Sequence, residues 1–144
     1  MKMFVNHINA KLDAKGRAVV PASYRKILAE NVTLYGRMEP SNRYLIIYTE
    51  EAWQEKYTDL RSRLDDFEEQ DNDTLMQFTD ETVELSIDKQ GRLLLTKQQK
   101  DKLGIDSDIT FAGMGDRFAI WNKETYEDNF RERTAFKAPP KTKQ

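Results

Sequence analysis

Leu12-Asp13-Ala14-Lys15-Gly16-Arg17-Ala18-Val19-Val20-Pro21 has a counterpart in Ile87-Asp88-Lys89-Gln90-Gly91-Arg92-Leu93-Leu94-Leu95-Thr96. Each phrase reads apolar, Asp, two spacers, Gly, Arg and an apolar triplet. The Asp can accept backbone N–H groups just ahead of it, and the Gly can adopt positive φ. The spacing predicts a tight reversal and so a hairpin between residues 4–12 and 17–20. Pro21 suits the first turn of a helix, where its missing N–H costs nothing. That helix is expected over Ala22 to Ala29, with Tyr24, Ile27 and Leu28 inward. Val32 to Tyr35 reads as a third strand. Glu39-Pro40-Ser41-Asn42 reads as a turn, and Tyr44 to Tyr48 as a fourth strand, buried on both faces.

The second copy repeats this order. Val83 to Ile87 alternates as a strand, Asp88 to Gly91 turns, and Arg92 to Leu95 is again a strand. Gln98 to Leu103 reads as a helix stopped by Gly104. Ile109-Thr110-Phe111 matches Val32-Thr33-Leu34, and Phe118 to Trp121 matches Leu45 to Tyr48. Glu124 and Tyr126 match Glu51 and Trp53. The offset between the copies drifts only from 73 to 77, so the repeat is collinear over nearly its whole length. Between the copies Thr49 starts a helix with acids in its first turn. Trp53, Tyr57, Leu60, Leu64 and Phe67 form a helical stripe. The acidic run from Glu68 to Asp73 is expected to end it, with a short helical piece at Leu75, Met76 and Phe78. The expected fold class is α+β, mostly β: two pseudo-symmetric hairpin modules with short helices and a helical connector. The expected divisions are module one at 4–53, an acidic connector at 54–80, module two at 81–130 and a basic, disordered tail at 131–144. A half of this size buries too little apolar surface to be stable alone, so the halves should share a core with each other or with another chain.

The net charge of −2 hides a segregation. Residues 1–47 hold eight basic and three acidic residues, net +5. Residues 48–84 hold three and thirteen, net −10. Residues 85–144 hold twelve and nine, net +3. Two basic modules flank an acidic connector, and the local field governs contact with a polyanion. The absence of cysteine excludes disulfides, thiol catalysis and cysteine metal sites. The longest apolar run, Tyr44 to Tyr48, is far short of the ~20 residues of a membrane helix. The first residues are not a secretory signal, and a cytoplasmic setting is expected.

Catalytic chemistry finds no support. His7 is the only histidine, with no nucleophile–base arrangement around it. A calcium loop starting at Asp71 would place Leu75, Met76 and Thr82 where an oxygen donor, Gly and Glu are needed. Gly113-Met114-Gly115 is too short for a phosphate loop. No cofactor, metal or small-molecule substrate is expected. A single Asp…Gly-Arg phrase reads as a capped turn with a surface arginine. Two copies in two basic modules point to paired presentation of arginine, the side chain suited to bidentate phosphate or guanine contacts. The turns place Lys15, Arg17, Lys89 and Arg92 as candidate DNA contacts. Asp13, Gly16, Asp88 and Gly91 organise the loops. Lys11, Arg25, Lys26, Arg37, Arg43, Lys97, Lys100 and Lys102 extend the patch. Trp53, Tyr57, Trp121 and Tyr126 read as core or interface, and the long connector stripe as subunit packing.

The phrase Leu12 to Pro21, the central helical connector and the closing Gly115-Asp116-Arg117-Phe118-Ala119-Ile120-Trp121-Asn122-Lys123-Glu124 together resemble the MraZ family of bacterial transcriptional regulators. The resemblance covers about residues 4–130. It implies a double SpoVT-AbrB swapped-hairpin fold and a ring-shaped homo-oligomer. It implies binding to short direct repeats of double-stranded DNA upstream of the division and cell-wall gene cluster. It further implies nucleoid association and repression of that cluster, including the chain's own gene. The family's Asp-x-x-x-Arg contacts carry over to Arg17 and Arg92, with Lys15 beside the first. Two positions depart from the pattern: Thr96 stands where Pro is usual, which weakens the argument for a helix start there, and Gln90 replaces the Lys matching Lys15. The acidic connector should face away from DNA or across the ring interface. The alternative is an AbrB-fold protein-interaction module, antitoxin-like or structural, without specific DNA binding.

Overall fold

A computed structural model describes residues 2–28 and 32–141. The end of the expected first helix at Ala29 and the tail residues Thr142 to Gln144 lie outside the described residues. The chain order is β1 His7–Lys11, β2 Arg17–Val19, α1 Ala22–Arg25, β3 Thr33–Met38 and β4 Tyr44–Thr49. The helices α2 Glu50–Ser62 and α3 Glu69–Asp80 follow. Then come β5 Val83–Ser86, β6 Arg92–Leu94, α4 Lys97–Leu103, β7 Asp108–Gly113, β8 Arg117–Asn122 and α5 Lys123–Arg131. No described helix is long and apolar enough to cross a membrane.

The strands exchange partners between the modules. A six-stranded antiparallel sheet runs β1-β7-β8-β4-β3-β5, and β2 pairs with β6 in a separate two-stranded ribbon. The simple hairpin read from the Gly spacing is corrected, and the swapped-hairpin arrangement that the family resemblance implies is what forms. The first turn does close, with Asp13 N–H donating to Arg17 O at 2.8 Å and Gly16 N–H to Asp13 O at 3.0 Å. Its arms then part: β1 joins β7 of the second module, and β2 joins β6. In return β5 of the second module joins β3 of the first. Neither half has enough apolar surface to close a core on its own, so exchange supplies the missing layer.

The two central pairings carry a pseudo-twofold. In β4–β8 it runs through Ile46↔Ala119 and exchanges Leu45↔Ile120 with Ile47↔Phe118. In the ribbon it runs through Ala18↔Leu93 and exchanges Arg17↔Leu94 with Val19↔Arg92. The core lies between sheet and ribbon. Phe4 and Tyr24 of module one interlock with Phe111 and Phe118 of module two, ring centroids 5.0–6.2 Å apart. The Tyr24 hydroxyl donates to Asn6 O at 3.0 Å, and burial pushes its phenol up to about 12. Phe4 is tied to the β7–β8 turn by reciprocal backbone bonds with Gly115, of 2.8 and 3.0 Å.

The helix ends follow local chemistry. Thr49 caps α2 by accepting from Ala52 N–H at 3.1 Å. That helix stops at Ser62, short of the expected stripe. Leu64 and Phe67 fall in the following turn, where Asp71 accepts from Asp65 N–H and Asp65 from Phe67 N–H. The acidic run is also corrected: Glu69 to Asp73 starts α3, its acids lying at the positive end of the helix. Phe78 of α3 stacks on Trp53, which stacks on Tyr35 of β3, while Arg37 lies 4.4 Å over Phe78.

The helix start at Thr96, less well argued from the sequence than that at Pro21, is fully formed. Its hydroxyl accepts from Gln99 N–H at 3.1 Å and Gln99 Oε1 accepts from Thr96 N–H at 2.9 Å, a full capping box. The helix it starts has seven residues, against four after Pro21. Thr96→Ala is expected to cost about 1 kcal/mol, read as a fall of roughly 2–4 °C in melting temperature.

Candidate nucleic-acid interface

The two Asp…Gly-Arg loops are built alike. Asp13 Oδ1 accepts the N–H groups of Lys15 and Arg17, each at 2.9 Å. Asp13 Oδ2 takes Arg17 Nε at 2.8 Å. Asp88 repeats this with the N–H groups of Gln90 and Arg92, both 2.9 Å, and Arg92 Nε at 2.8 Å. Gly16 and Gly91 turn at φ +84° and +77°, a region a Cβ would disfavour. In each loop the Asp therefore uses one oxygen to fold the backbone and the other to aim the guanidinium. Only Nε of each Arg is engaged by its Asp, on a side chain 28% exposed; both terminal amino groups of Arg17 stay available, while Arg92 Nη2 also donates to Gln90 Oε1 at 3.2 Å and leaves Nη1 open.

The backbone N–H of Arg17 holds the Asp13 carboxyl below its ordinary value of 3.8; the Arg17 side chain and Lys15 N–H add to this against a desolvation that opposes it. Asp88 is lowered in the same way by Arg92 and Gln90. A depressed folded-state value means the stabilisation is complete above 3.8 and is lost as pH falls through the folded value. In an acid titration followed by NMR, the amide signals of Lys15, Arg17, Gln90 and Arg92 should move together, with midpoints below 3.8. Midpoints at or above 3.8 would contradict the loop assignment.

The exchange of strands brings each loop a cation from the other module. A Cβ on Gly91 would lie 2.7 Å from Arg25 Cδ, so the arginine of α1 crosses the second loop. A Cβ on Gly16 would lie 3.3 Å from Lys100 Nζ, so the lysine of α4 crosses the first. Arg25 and Lys100 had been only patch extensions in the sequence; their place beside the loops depends on strand pairing more than 60 residues away. Among the described residues, Lys15, Arg25, Lys89 and Lys100 carry no salt bridge. Each loop thus adds two uncompensated positive charges to its Asp–Arg pair.

Other candidates fall away from the patch. Lys11 pairs with Asp108 at 3.1 Å. Arg37 is spent on the carbonyl of Phe78 and on Thr82 Oγ1, the latter at 3.1 Å. Arg43 braces Glu39, whose carboxyl burial pushes up but whose bonds from Ser41 and Arg43 bring it to a net lowering. His7 lies at the surface against Tyr126 and Phe130, centroids 5.0 and 5.5 Å away. Among the described residues no group of three or more His, Asp or Glu is placed to hold a metal.

The loops flank the ribbon, and the ribbon completes the surface. Ala18 and Leu93 face the core at 3% and 1% exposure. By the two-residue period of a strand, Arg17, Val19, Arg92 and Leu94 share the opposite face. A two-stranded ribbon is one of the elements the DNA major groove admits. Fold and ribbon define the class: a two-module swapped-hairpin protein. A family model described as "MraZ protein, putative antitoxin-like" matches residues 3–77 and again residues 78–144. The chain belongs to the MraZ family and carries its repeat twice. "Transcriptional regulator MraZ" of Bacteroides fragilis is 35% identical over 140 residues, covering 96% of this chain and 89% of the relative. The protein of the same name from Bacteroides thetaiotaomicron is 33% identical over 140 residues, covering 96% and 90%. That from Lachnoclostridium phytofermentans is 31% identical over 127 residues, covering 88% and 86%.

Proposed function

We propose that the chain is a sequence-specific DNA-binding repressor of the division and cell-wall gene cluster, its own gene included. It acts without cofactor, small-molecule substrate or catalytic step, in the cytoplasm at the nucleoid. The observation that carries this reading is the outward face of the β2–β6 ribbon, with Arg17 and Arg92 related by the pseudo-twofold and four uncompensated cations beside them. Arg17 and Arg92 contact bases or phosphates; Lys15, Lys89, Arg25 and Lys100 hold the flanking backbone. Asp13, Gly16, Asp88 and Gly91 set the loops, modules 4–53 and 81–130 present them, and the connector 54–80 stands apart from the DNA.

Copies of the chain assemble into a homo-oligomer, a ring in this reading, so that several ribbons engage successive short repeats. Apolar side chains left open on the connector support it: Phe67 is 96% and Met76 60% exposed. Linked engagement raises overall affinity above that of one chain. The reading is tested by gel shift on the promoter of the chain's own operon, repeated across a salt series. If about four phosphates are neutralised per chain, affinity falls roughly 100-fold between 50 and 200 mM salt. Lys15→Ala with Lys89→Ala should flatten the logarithmic slope by about two. A fragment that is not shifted at low salt would refute the function.

A further inference from the structure

The ribbon's outer face holds two side chains that neither phosphate binding nor guanine recognition uses. Val19 and Leu94 are 52% and 51% exposed, although each lies in the middle of a charged surface. Register fixes their setting. Leu94 stands directly across from Arg17, and Val19 directly across from Arg92. The four side chains thus form two rows, Arg–Leu and Val–Arg, exchanged by the pseudo-twofold through Ala18↔Leu93. Cross-strand neighbours stand about 5 Å apart and diagonal ones ~7–8 Å apart. Each apolar group therefore sits beside a guanidinium, and the two are separated by about two base-pair steps of ~3.4 Å.

We infer that Val19 and Leu94 determine sequence specificity by covering thymine 5-methyl groups in the major groove, while Arg17 and Arg92 take the adjoining guanine edges or phosphates. Thymine is the only base that offers an apolar group on that edge, and apolar side chains are what recognise it. The occupant is DNA and not a second copy of the chain. Arg17, Arg92, Lys15, Lys89, Arg25 and Lys100 surround the pair, and two such faces would repel each other. Two side chains are also far less than the ~800 Å² per partner of a stable protein interface. The inference rests on the DNA-binding reading above and names what that reading leaves open, the bases selected.

The test compares two preparations of one promoter fragment, from the DNA upstream of the chain's own gene. One is made with thymine and one with deoxyuridine throughout, which deletes every 5-methyl and keeps every hydrogen-bonding group. The full-length chain is titrated against both. Covering one methyl is worth a factor of about four, so with two covered the wild-type chain should bind the deoxyuridine fragment roughly 15-fold more weakly. Val19→Ala with Leu94→Ala should bind the thymine fragment that much more weakly and should not distinguish the two fragments. Both positions are solvent-exposed, and circular dichroism and melting check the fold; should the double variant not fold, each single variant should lose about half the discrimination on a logarithmic scale.

Equal binding of both fragments by the wild-type chain overturns the inference and leaves DNA binding standing. An equal loss for wild type and variant also overturns it, because the sensitivity would then come from altered DNA shape. Failure of the wild-type chain to bind the thymine fragment at all overturns the function and this inference together.

Discussion

Arg17→Ala combined with Arg92→Ala is expected to abolish specific promoter binding while leaving the protein folded and assembled. Each bidentate contact to a base edge is worth about 1–3 kcal/mol, so loss of both weakens binding at least ~30-fold. In the proposed homo-oligomer, linked engagement by several chains would multiply that loss. The fold should survive because the loops do not depend on the guanidinium. Asp13 still accepts two backbone N–H groups, and Asp88 likewise. Arg17→Lys with Arg92→Lys separates charge from shape: a lysine keeps the charge but loses the planar fork. It should retain salt-dependent binding to any DNA and lose the preference for the promoter. Fluorescence anisotropy with promoter and scrambled duplexes reads both quantities, and light scattering reports the assembly. Undiminished promoter preference in an intact Ala double variant would remove Arg17 and Arg92 from the site.

Gly113→Ala should give the largest loss of stability. Gly113 lies where the N-terminal segment crosses the end of β7. A Cβ there would stand 2.5 Å from Phe4 C and from Val5 N, and closer still to Phe4 O. These are backbone atoms, which cannot swing aside as a side-chain tip can. The bond from Gly113 N–H to Asn6 O, 2.8 Å, would have to lengthen, and so would the reciprocal bonds between Phe4 and Gly115. Phe4 would then leave the aromatic knot, where it is 2% exposed. Removing a buried phenylalanine costs about 3–5 kcal/mol; a melting temperature lower by roughly 10 °C is expected. Phe4→Ala should give a similar loss, and the two substitutions together should not add, because both release the same segment. Full additivity would show that Gly113 acts through something other than Phe4.

What could be read in advance was local. The repeated phrase announced its own loop, since Asp, Gly and Arg act within five residues. Thr49 and Gly104 announced helix ends for the same reason. Partner choice was not legible in the residues themselves, and only the family resemblance implied the exchange: nothing in Arg17-Ala18-Val19 says that its neighbour is Arg92-Leu93-Leu94 and not the strand just before it. The positions of Arg25 and Lys100 followed from that choice and were missed with it. The end of α2 was misjudged because the apolar stripe continues through Leu64 and Phe67, whereas hydrogen bonds among Asp65, Phe67 and Asp71 turn the chain away. The Thr96 helix was underrated because its cap depends on Gln99 reaching back. Val19 and Leu94 looked like any apolar strand residues until Ala18 and Leu93 were found to own the inward face.

The symmetry of the ribbon is imperfect. Lys15 is matched by Gln90, Val19 by Leu94 and Arg25 by Lys100. A dimer of identical hairpins carries a true dyad, reads the same in either orientation and favours palindromes. Fusing the two hairpins into one chain frees each to diverge, and the surface acquires a head and a tail. Such a reader can tell a site from its reverse complement, which suits the proposed target, a polar word repeated in one direction. Inverting a single repeat within a promoter, with its sequence otherwise untouched, should therefore cost the complex one point of attachment.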